Sequence, residues 1–217
     1  MPVAEGLKID WAQMPTYNTI MAVAAGAGLL LVVMLMRRLL LSEESFEPVG
    51  WALAFGVLGS ILTLTGLHMS LTWPLAAGGF PFDNVIFGEP ALAFGVMLLA
   101  ASVYLWKRGV DLGSPQGRAQ LVARVAGPMG VFVFGMGLAC FGIAAAGIDN
   151  QLFAAPPEEP ISGEFADYPW VEAIFMSGLY ALVGLGAVLA PLGLRGRNKV
   201  LLTISGIAWG LGGLAFL

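Results

Sequence analysis

The residues best suited to chemistry lie in and after one apolar run, which ends near the chain's single histidine, His68, with Met69 beside it. Acidic residues follow in a segment rich in glycine and proline that contains no lysine or arginine. Imidazole and thioether groups bind copper and other transition ions, whereas carboxylates alone suit calcium or magnesium. The stretch 63–90 is therefore the first place where the sequence predicts a site.

Further candidate residues are predicted to lie at the same depth in the protein. His68 falls about five residues from the end of its helix, or roughly 7–8 Å at 1.5 Å per residue. Glu172 and Met176 are four residues apart and share one face of a later helix. The sequence thus predicts an outward-facing polar pocket for a cation, either a transition metal or a divalent ion, or for a small polar ligand. Its candidate residues are His68, Asp83, Glu89, Asp149, Glu164, Glu172 and Met176.

Each of these residues also has a purely structural interpretation. His68 can be held by a hydrogen bond to Tyr17, Thr72 or a loop carboxylate instead of binding a ligand. Glu89 and Glu172 fall near helix starts, where a carboxylate interacts favourably with the helix dipole. Methionines in a membrane helix usually serve packing. The sequence leaves both interpretations open.

Recognisable catalytic motifs are absent from the sequence. It contains no glycine-rich phosphate loop, HExxH, CxxC or nucleophile elbow. One histidine excludes bis-histidine haem ligation within one chain, and the lone Cys140 excludes an intrachain disulfide. The apolar runs hold no Asp, Glu, Lys or Arg, which argues against ion transport. The sequence favours a protein that is not an enzyme. An enzyme that acts on a lipid or apolar substrate at the outer leaflet ranks third, after a binding protein and the subunit function described below.

The composition is that of a membrane protein. Of 217 residues, 58% are hydrophobic and 11% are charged, whereas a soluble domain has about 45–50% apolar and about 25% charged residues. A bilayer-crossing helix needs about 20 residues, with a range near 17–25. The sequence predicts an all-α, polytopic membrane helix bundle that forms a single integral membrane domain over 1–217. Six transmembrane helices are predicted at about 16–36, 50–73, 90–106, 121–148, 169–194 and 199–217, with outer loops at 74–89 and 149–168.

The basic residues indicate the orientation of this bundle. Lysine and arginine follow the first, third and fifth spans, and the other two connections contain none. The positive-inside rule therefore places both termini outside. We expect a multi-pass protein of the cell (plasma) membrane, surrounded by the lipid bilayer. The net charge of −4 comes mostly from outer carboxylates and indicates no nucleic-acid partner.

Small residues and loops predict how the spans pack. Gly206 and Gly210 are four apart in the last span and allow a neighbouring backbone to approach closely. We expect the aromatic residues of loop 149–169 to be buried, so that this loop forms an ordered lid over loop 74–90. Small-residue faces occur on more helices than a six-helix bundle needs. They favour an alternative function, a non-catalytic subunit or stabilising partner of a larger membrane complex, built with another membrane protein or as a homo-oligomer.

Three segments of the chain are distinctive, namely GLHMSLTWPL at 66–75, FPFDNVIFGEP at 80–90 and AAPPEEPISGEFADYPW at 154–170. Together they resemble a family of small multi-pass prokaryotic membrane proteins that is known only as a domain of unknown function. The resemblance runs through most of the chain. It implies a prokaryotic membrane protein and implies no activity.

Overall fold

The protein is an all-α bundle. The computed structural model describes residues 16–72, 82, 84–155, 157–158 and 162–217. These residues contain no β-strand, and a π-helical turn, Asn84–Gly88, leads directly into the third helix. The helices are α1 (Asn18–Leu41), α2 (Pro48–Leu71), α3 (Glu89–Lys107), α4 (Gly109–Gly113), α5 (Arg118–Asp149), α6 (Pro169–Gly196) and α7 (Lys199–Ala215). The predicted all-α fold class is therefore confirmed.

Five of these helices are long and apolar enough to cross a membrane, when the π-helical turn is counted with α3. The sixth predicted span corresponds to α7, an apolar helix of 17 residues, which lies at the lower end of the spanning range of about 17–25 residues. The sequence did not predict the short α4. The orientation in the membrane stays a prediction. We call the end of the bundle where α1 begins and α7 finishes the outer end, and the opposite end the inner end.

Local sequence signals explain where several helices begin. The Glu47 side chain accepts a hydrogen bond from the Val49 backbone N–H at 3.1 Å, and Pro48 occupies the first position of α2. The Asn198 side chain caps α7 in the same way by accepting from the backbone N–H of Val200 at 3.0 Å. Helix α5 starts after Gly117, whose φ of 73° lies in the left-handed region that glycine tolerates.

The long helices form an open ring, in the order α3, α2, α1, α7, α6 and α5. Helix α2 packs along α3, α5 packs along α6, and α7 packs between α6 and α1. Helix α1 also contacts α2, so the first and last long helices join the two halves of the chain. In contrast, α3 and α5 hardly touch. This arrangement leaves a seam between α3 and α5.

Close helix contacts are made at glycines. A Cβ atom on Gly26 would lie 2.7 Å from the carbonyl oxygen of Gly213, so these two residues bring α1 and α7 together. The expectation that Gly206 and Gly210 form the packing face of α7 is wrong. Gly210 has no atom within 4 Å of its Cβ position, and Gly206 meets only the Val33 side chain at 3.7 Å. The close approach of α7 to α1 occurs at Gly213 instead, about one turn beyond Gly210.

A buried arginine organises the inner end. Arg118 is 2% exposed at the start of α5, and its guanidinium group donates hydrogen bonds to the backbone carbonyls of Ser42 and, at 3.1 Å, Glu44. The same group lies 5.5 Å from the centre of the Phe46 ring, close enough for a cation–π interaction. Arg118 therefore holds the connection between α1 and α2 against α5. The sequence indicated only that it marks the inner side.

Candidate functional site: an apolar cavity beneath a polar outer end

The histidine that centres the predicted site is paired with a tyrosine. The Tyr17 hydroxyl and His68 Nδ1 are 2.9 Å apart, and the two rings meet edge to face with centroids 5.6 Å apart. A phenol can both donate and accept, so the pair is satisfied in either tautomer of His68. The hydrogen bond between His68 and Tyr17, one of the partners that the sequence allowed, is therefore observed.

The other predicted site residues are distributed around the outer end. Glu172 accepts a hydrogen bond from the Ala155 backbone N–H at 2.9 Å and so ties the outer loop to α6. Glu89, Asp149 and Glu164 are exposed at the start of α3, at the end of α5 and in a 3-10 turn, respectively. Met176 of α6 lies in the wall of a cavity described below. Asp83 lies outside the described residues.

These side chains do not assemble into a metal site within the part of the chain that the structure describes. No three His, Cys, Asp or Glu residues among the described residues form a group that could hold a metal ion. His68 is engaged by Tyr17, and Glu172 is engaged by the backbone of Ala155. A cation or polar-ligand site that also uses Asp83 stays a prediction.

Two buried polar residues fix the outer end, and sequence reasoning missed the role of both. Asn84 is 2% exposed, and its amide donates to the carbonyls of Met69 and, at 2.9 Å, Thr72. The Tyr180 hydroxyl of α6 donates to the Ile86 carbonyl. Together these bonds hold the π-helical turn between α2 and α6. An asparagine in a glycine- and proline-rich segment is typical of a solvated turn, so no sequence signal distinguished Asn84.

Part of the second outer loop packs inward. Phe153 is buried and stacks on Tyr180 with ring centroids 5.6 Å apart. It also meets Phe87 of the π-helical turn edge to face. Phe165 is 46% exposed, so the expected burial of the loop's aromatic residues is right for Phe153 and wrong for Phe165. The prediction that loop 149–169 forms a lid over loop 74–90 concerns mostly residues outside the described ones.

Inside the bundle lies an apolar cavity of about 530 Å³. All helices except the short α4 contribute to its wall. One wall residue from each, in the order α1, α2, α3, α5, α6 and α7, is Ala25, Met69, Phe94, Cys140, Met176 and Trp209. The polar groups of two wall residues are already engaged. Tyr180 donates to the Ile86 carbonyl, and the Trp209 indole N–H donates to the Val183 carbonyl at 3.1 Å. The wall therefore consists mainly of carbon and sulfur atoms and offers few hydrogen-bonding groups to a ligand.

The cavity extends inward from the outer end and reaches the open seam. Asn18 and Val32 of α1 both line it, and their separation corresponds to roughly 21 Å at 1.5 Å per residue. One leaflet of a bilayer has a hydrocarbon depth of about 15 Å, half of the usual core. Helices α3 and α5 both line the cavity while hardly touching each other, and the lining residue Phe132 is 48% exposed. The seam therefore connects the cavity with the lipid-facing surface.

Long apolar helices, five of which could cross a membrane, surround an internal apolar cavity, and this architecture is compatible with a polytopic α-helical membrane protein. The chain belongs to the family described as Protein of unknown function (DUF981), whose family model matches residues 14–217. No curated protein and no solved structure matches the chain. The predicted membership of a domain family of unknown function is thus confirmed. The family suggests no activity, so the function has to be argued from the cavity.

Proposed function

We propose that this protein binds the apolar chain of an amphiphile that it takes from the outer leaflet of a prokaryotic plasma membrane. The observation that carries the proposal is the apolar cavity of about 530 Å³. Ligand pockets in proteins measure about 300–1,000 Å³ and are lined mostly by apolar side chains. The cavity has the volume and the chemistry of such a pocket, and its length suits a chain that spans one leaflet.

Neither water nor vacuum is a plausible occupant of this cavity. A buried water needs two to four polar partners, and the two polar groups described above are already bonded within the protein. An apolar space left empty loses the dispersion contacts that its lining atoms would make with an occupant, and the open seam lets the chains of surrounding lipid fill it. Hydrocarbon is the occupant that both arguments favour.

The sulfur-containing side chains of the wall indicate how closely the ligand is selected. Methionines line the cavity from five different helices, and they are Met21, Met69, Met97, Met136 and Met176. A thioether chain has three rotatable bonds and adapts to irregular shapes. The wall is therefore suited to apolar chains that differ in length or branching. Selection of one ligand over another would then depend on its head group.

The seam and the outer end supply the two other parts of a lipid-binding site. A chain can enter sideways from the bilayer between α3 and α5 without crossing the polar outer end. Met69 of the wall directly follows His68, and Asn18 of the wall directly follows Tyr17. A ligand whose chain fills the cavity would thus place its head group beside the Tyr17–His68 pair. In this proposal the predicted polar pocket receives a head group.

The chain contains its own reporter for occupancy of the cavity. Cys140 is the single cysteine of the sequence, it is buried, and it lines the cavity. We expect N-ethylmaleimide to label Cys140 slowly in nanodiscs and long-chain alcohols such as dodecanol to slow the labelling further, because the chain occupies the space in front of the thiol. Mass spectrometry of the intact protein measures the labelled fraction over time. Labelling that is unaffected by dodecanol at saturation would contradict the proposal.

A cavity-filling substitution should give the same protection without ligand. Ala93 of α3 lines the cavity, whereas Ala100 of the same helix is exposed and does not. We expect Ala93→Phe to slow Cys140 labelling and to abolish the additional effect of dodecanol, while Ala100→Phe behaves as the parent protein. The melting temperature of each variant in detergent checks that it is folded. Full dodecanol protection in folded Ala93→Phe would place the binding site elsewhere.

A second candidate function is that of a subunit in a larger membrane complex. It is favoured by Gly135 and Gly142 of α5, whose Cβ positions have no atom within 4 Å. Glycine destabilises a helix by about 1 kcal/mol relative to alanine, and in membranes small residues recur where another helix approaches. Leu138, between them, is 52% exposed. This glycine face of α5 has room for a helix of another chain or of a second copy.

Substitution on this face tests the subunit hypothesis. We expect the double variant Gly135→Leu and Gly142→Leu to lose any partner or second copy that purifies with the parent protein at native expression, because the added side chains keep helix backbones apart. Leu53→Phe on the exposed face of α2 is the control. Native mass spectrometry of mildly solubilised membranes measures the assembly. A parent protein that is monomeric and without partners would argue against this function.

A further inference from the structure

We infer that the cavity accepts amphiphiles with cationic or neutral head groups and discriminates against anionic ones. The inference rests on the proposed function and adds the class of head group to it. It follows from the charges at the outer end of the cavity, taken together with the position of the cavity wall.

Carboxylates adjoin the cavity wall at its outer end. Glu89 directly precedes Pro90, which lines the cavity at the start of α3. Glu172 lies four residues before Met176, which lines it on α6, and residues four apart share a helix face. A head group at the outer end of the cavity would therefore be near negative charge contributed by two helices.

Lysine and arginine are missing from the two chain segments that contribute these carboxylates. The sequence contains no lysine or arginine between Met69 and Trp106 or between Asp149 and Leu194. The Nδ1 atom of His68 is engaged by Tyr17. An anionic phosphate or carboxylate head would thus find no Arg or Lys partner in these two segments and would lie near Glu89 and Glu172. This contrasts with phosphate sites, where Arg and Lys normally supply the donors.

The expected size of the discrimination is modest, because the outer end is open to solvent. An exposed ion pair changes an affinity by a factor of up to about five, and like charges act in the opposite direction by a similar factor. For two carboxylates we expect a cationic head to bind about tenfold or more tightly than an anionic head on the same chain. Salt should reduce this ratio, since charges separated by about 8 Å are largely screened at physiological ionic strength.

Three amphiphiles with the same chain separate the head group from the chain. We would measure protection of Cys140 from N-ethylmaleimide in zwitterionic nanodiscs with dodecyltrimethylammonium, dodecanol and dodecanoate at low salt. We expect dodecyltrimethylammonium to protect at about one tenth of the dodecanoate concentration, with dodecanol between them. Equal protection by all three would overturn the charge inference and leave the proposed function standing. Protection by none of them would overturn the proposed function itself.

Charge-neutral variants then connect the selectivity to the carboxylates. We expect Glu89→Gln, and to a similar extent Glu172→Gln, to reduce the ratio of dodecanoate to dodecyltrimethylammonium concentrations about threefold while dodecanol protects as before. Glutamine keeps a carbonyl oxygen that can accept from the Ala155 N–H. Glu43→Gln at the exposed inner connection removes the same charge far from the cavity and serves as the control. An unchanged ratio in both outer variants would contradict the inference.

Discussion

Replacement of Arg118 by methionine should lower the free energy of unfolding by at least about 3 kcal/mol, because hydrogen bonds that involve a charged group contribute about 1.5–3 kcal/mol each. Two such bonds, to the carbonyls of Ser42 and Glu44, would be lost together. Methionine fills much of the same space but donates no hydrogen bond. Two carbonyl oxygens would then lose their donors where α1, α2 and α5 meet. Unfolding in mixed micelles with increasing dodecyl sulfate measures the change.

Two further variants separate this specific role from a general effect of charge. Arg124→Met removes an exposed positive charge from the same helix, less than two turns further on, and should alter stability by less than about 0.5 kcal/mol. Arg118→Lys keeps the charge but has one ammonium group in place of the planar fork, so its stability should fall between those of the parent and Arg118→Met. Equal effects at Arg118 and Arg124 would show that the buried hydrogen bonds do not stabilise the inner end.

Alanine at Gly66 should destabilise the protein by about 2 kcal/mol or more, because overpacking of a tight core typically costs about 1–3 kcal/mol. The added Cβ would lie 2.8 Å from Leu92 Cα and 2.9 Å from the Gly88 carbonyl oxygen. Both atoms belong to backbone, which cannot move aside as a flexible side chain can. Helices α2 and α3 would have to separate along their main contact.

The matched variant Gly142→Ala should instead raise the free energy of unfolding. Its Cβ position has no atom within 4 Å, and alanine is favoured over glycine in a helix interior by about 0.8–1 kcal/mol. The same unfolding experiment in mixed micelles compares the two proteins. A destabilised Gly142→Ala variant would indicate that another chain occupies this face in the purified protein. A stable Gly66→Ala variant would contradict the close contact between α2 and α3.

Hydropathy alone predicted the five helices that are long enough to cross a membrane and the shorter apolar helix α7, because the thickness of a bilayer sets the length of an apolar run. Which residues of a helix make its closest contact is determined by the groove that the neighbour offers. Gly206 and Gly210 have the spacing of a packing motif, but Gly213 makes the contact with α1. Both sets are glycines in an apolar helix, so residue type could not distinguish them. The same limit applies to Arg118, which the sequence shows as one of several basic residues at the inner end.

The candidate site could be predicted in part, from residue types that need a partner. A histidine near the bilayer edge requires a hydrogen bond, and Tyr17 was among the partners considered. The roles of Asn84 and Tyr180 were not predicted because both donate to backbone carbonyls. Every residue has such a carbonyl, so the sequence does not show which one accepts a hydrogen bond. The cavity was also not predicted. It is the space that side chains of six helices leave unfilled, so no single segment encodes it.

The contact between the first and last long helices also sets the order of events during synthesis. Gly26 and Gly213, which join α1 to α7, are separated by nearly the whole chain. A ribosome that adds about 5–20 residues per second needs roughly 10–40 s to pass from one to the other. During that time α1 can contact α2 but not yet α7. Closure of the ring, and with it completion of the cavity wall, is therefore a step that follows synthesis of the last helix.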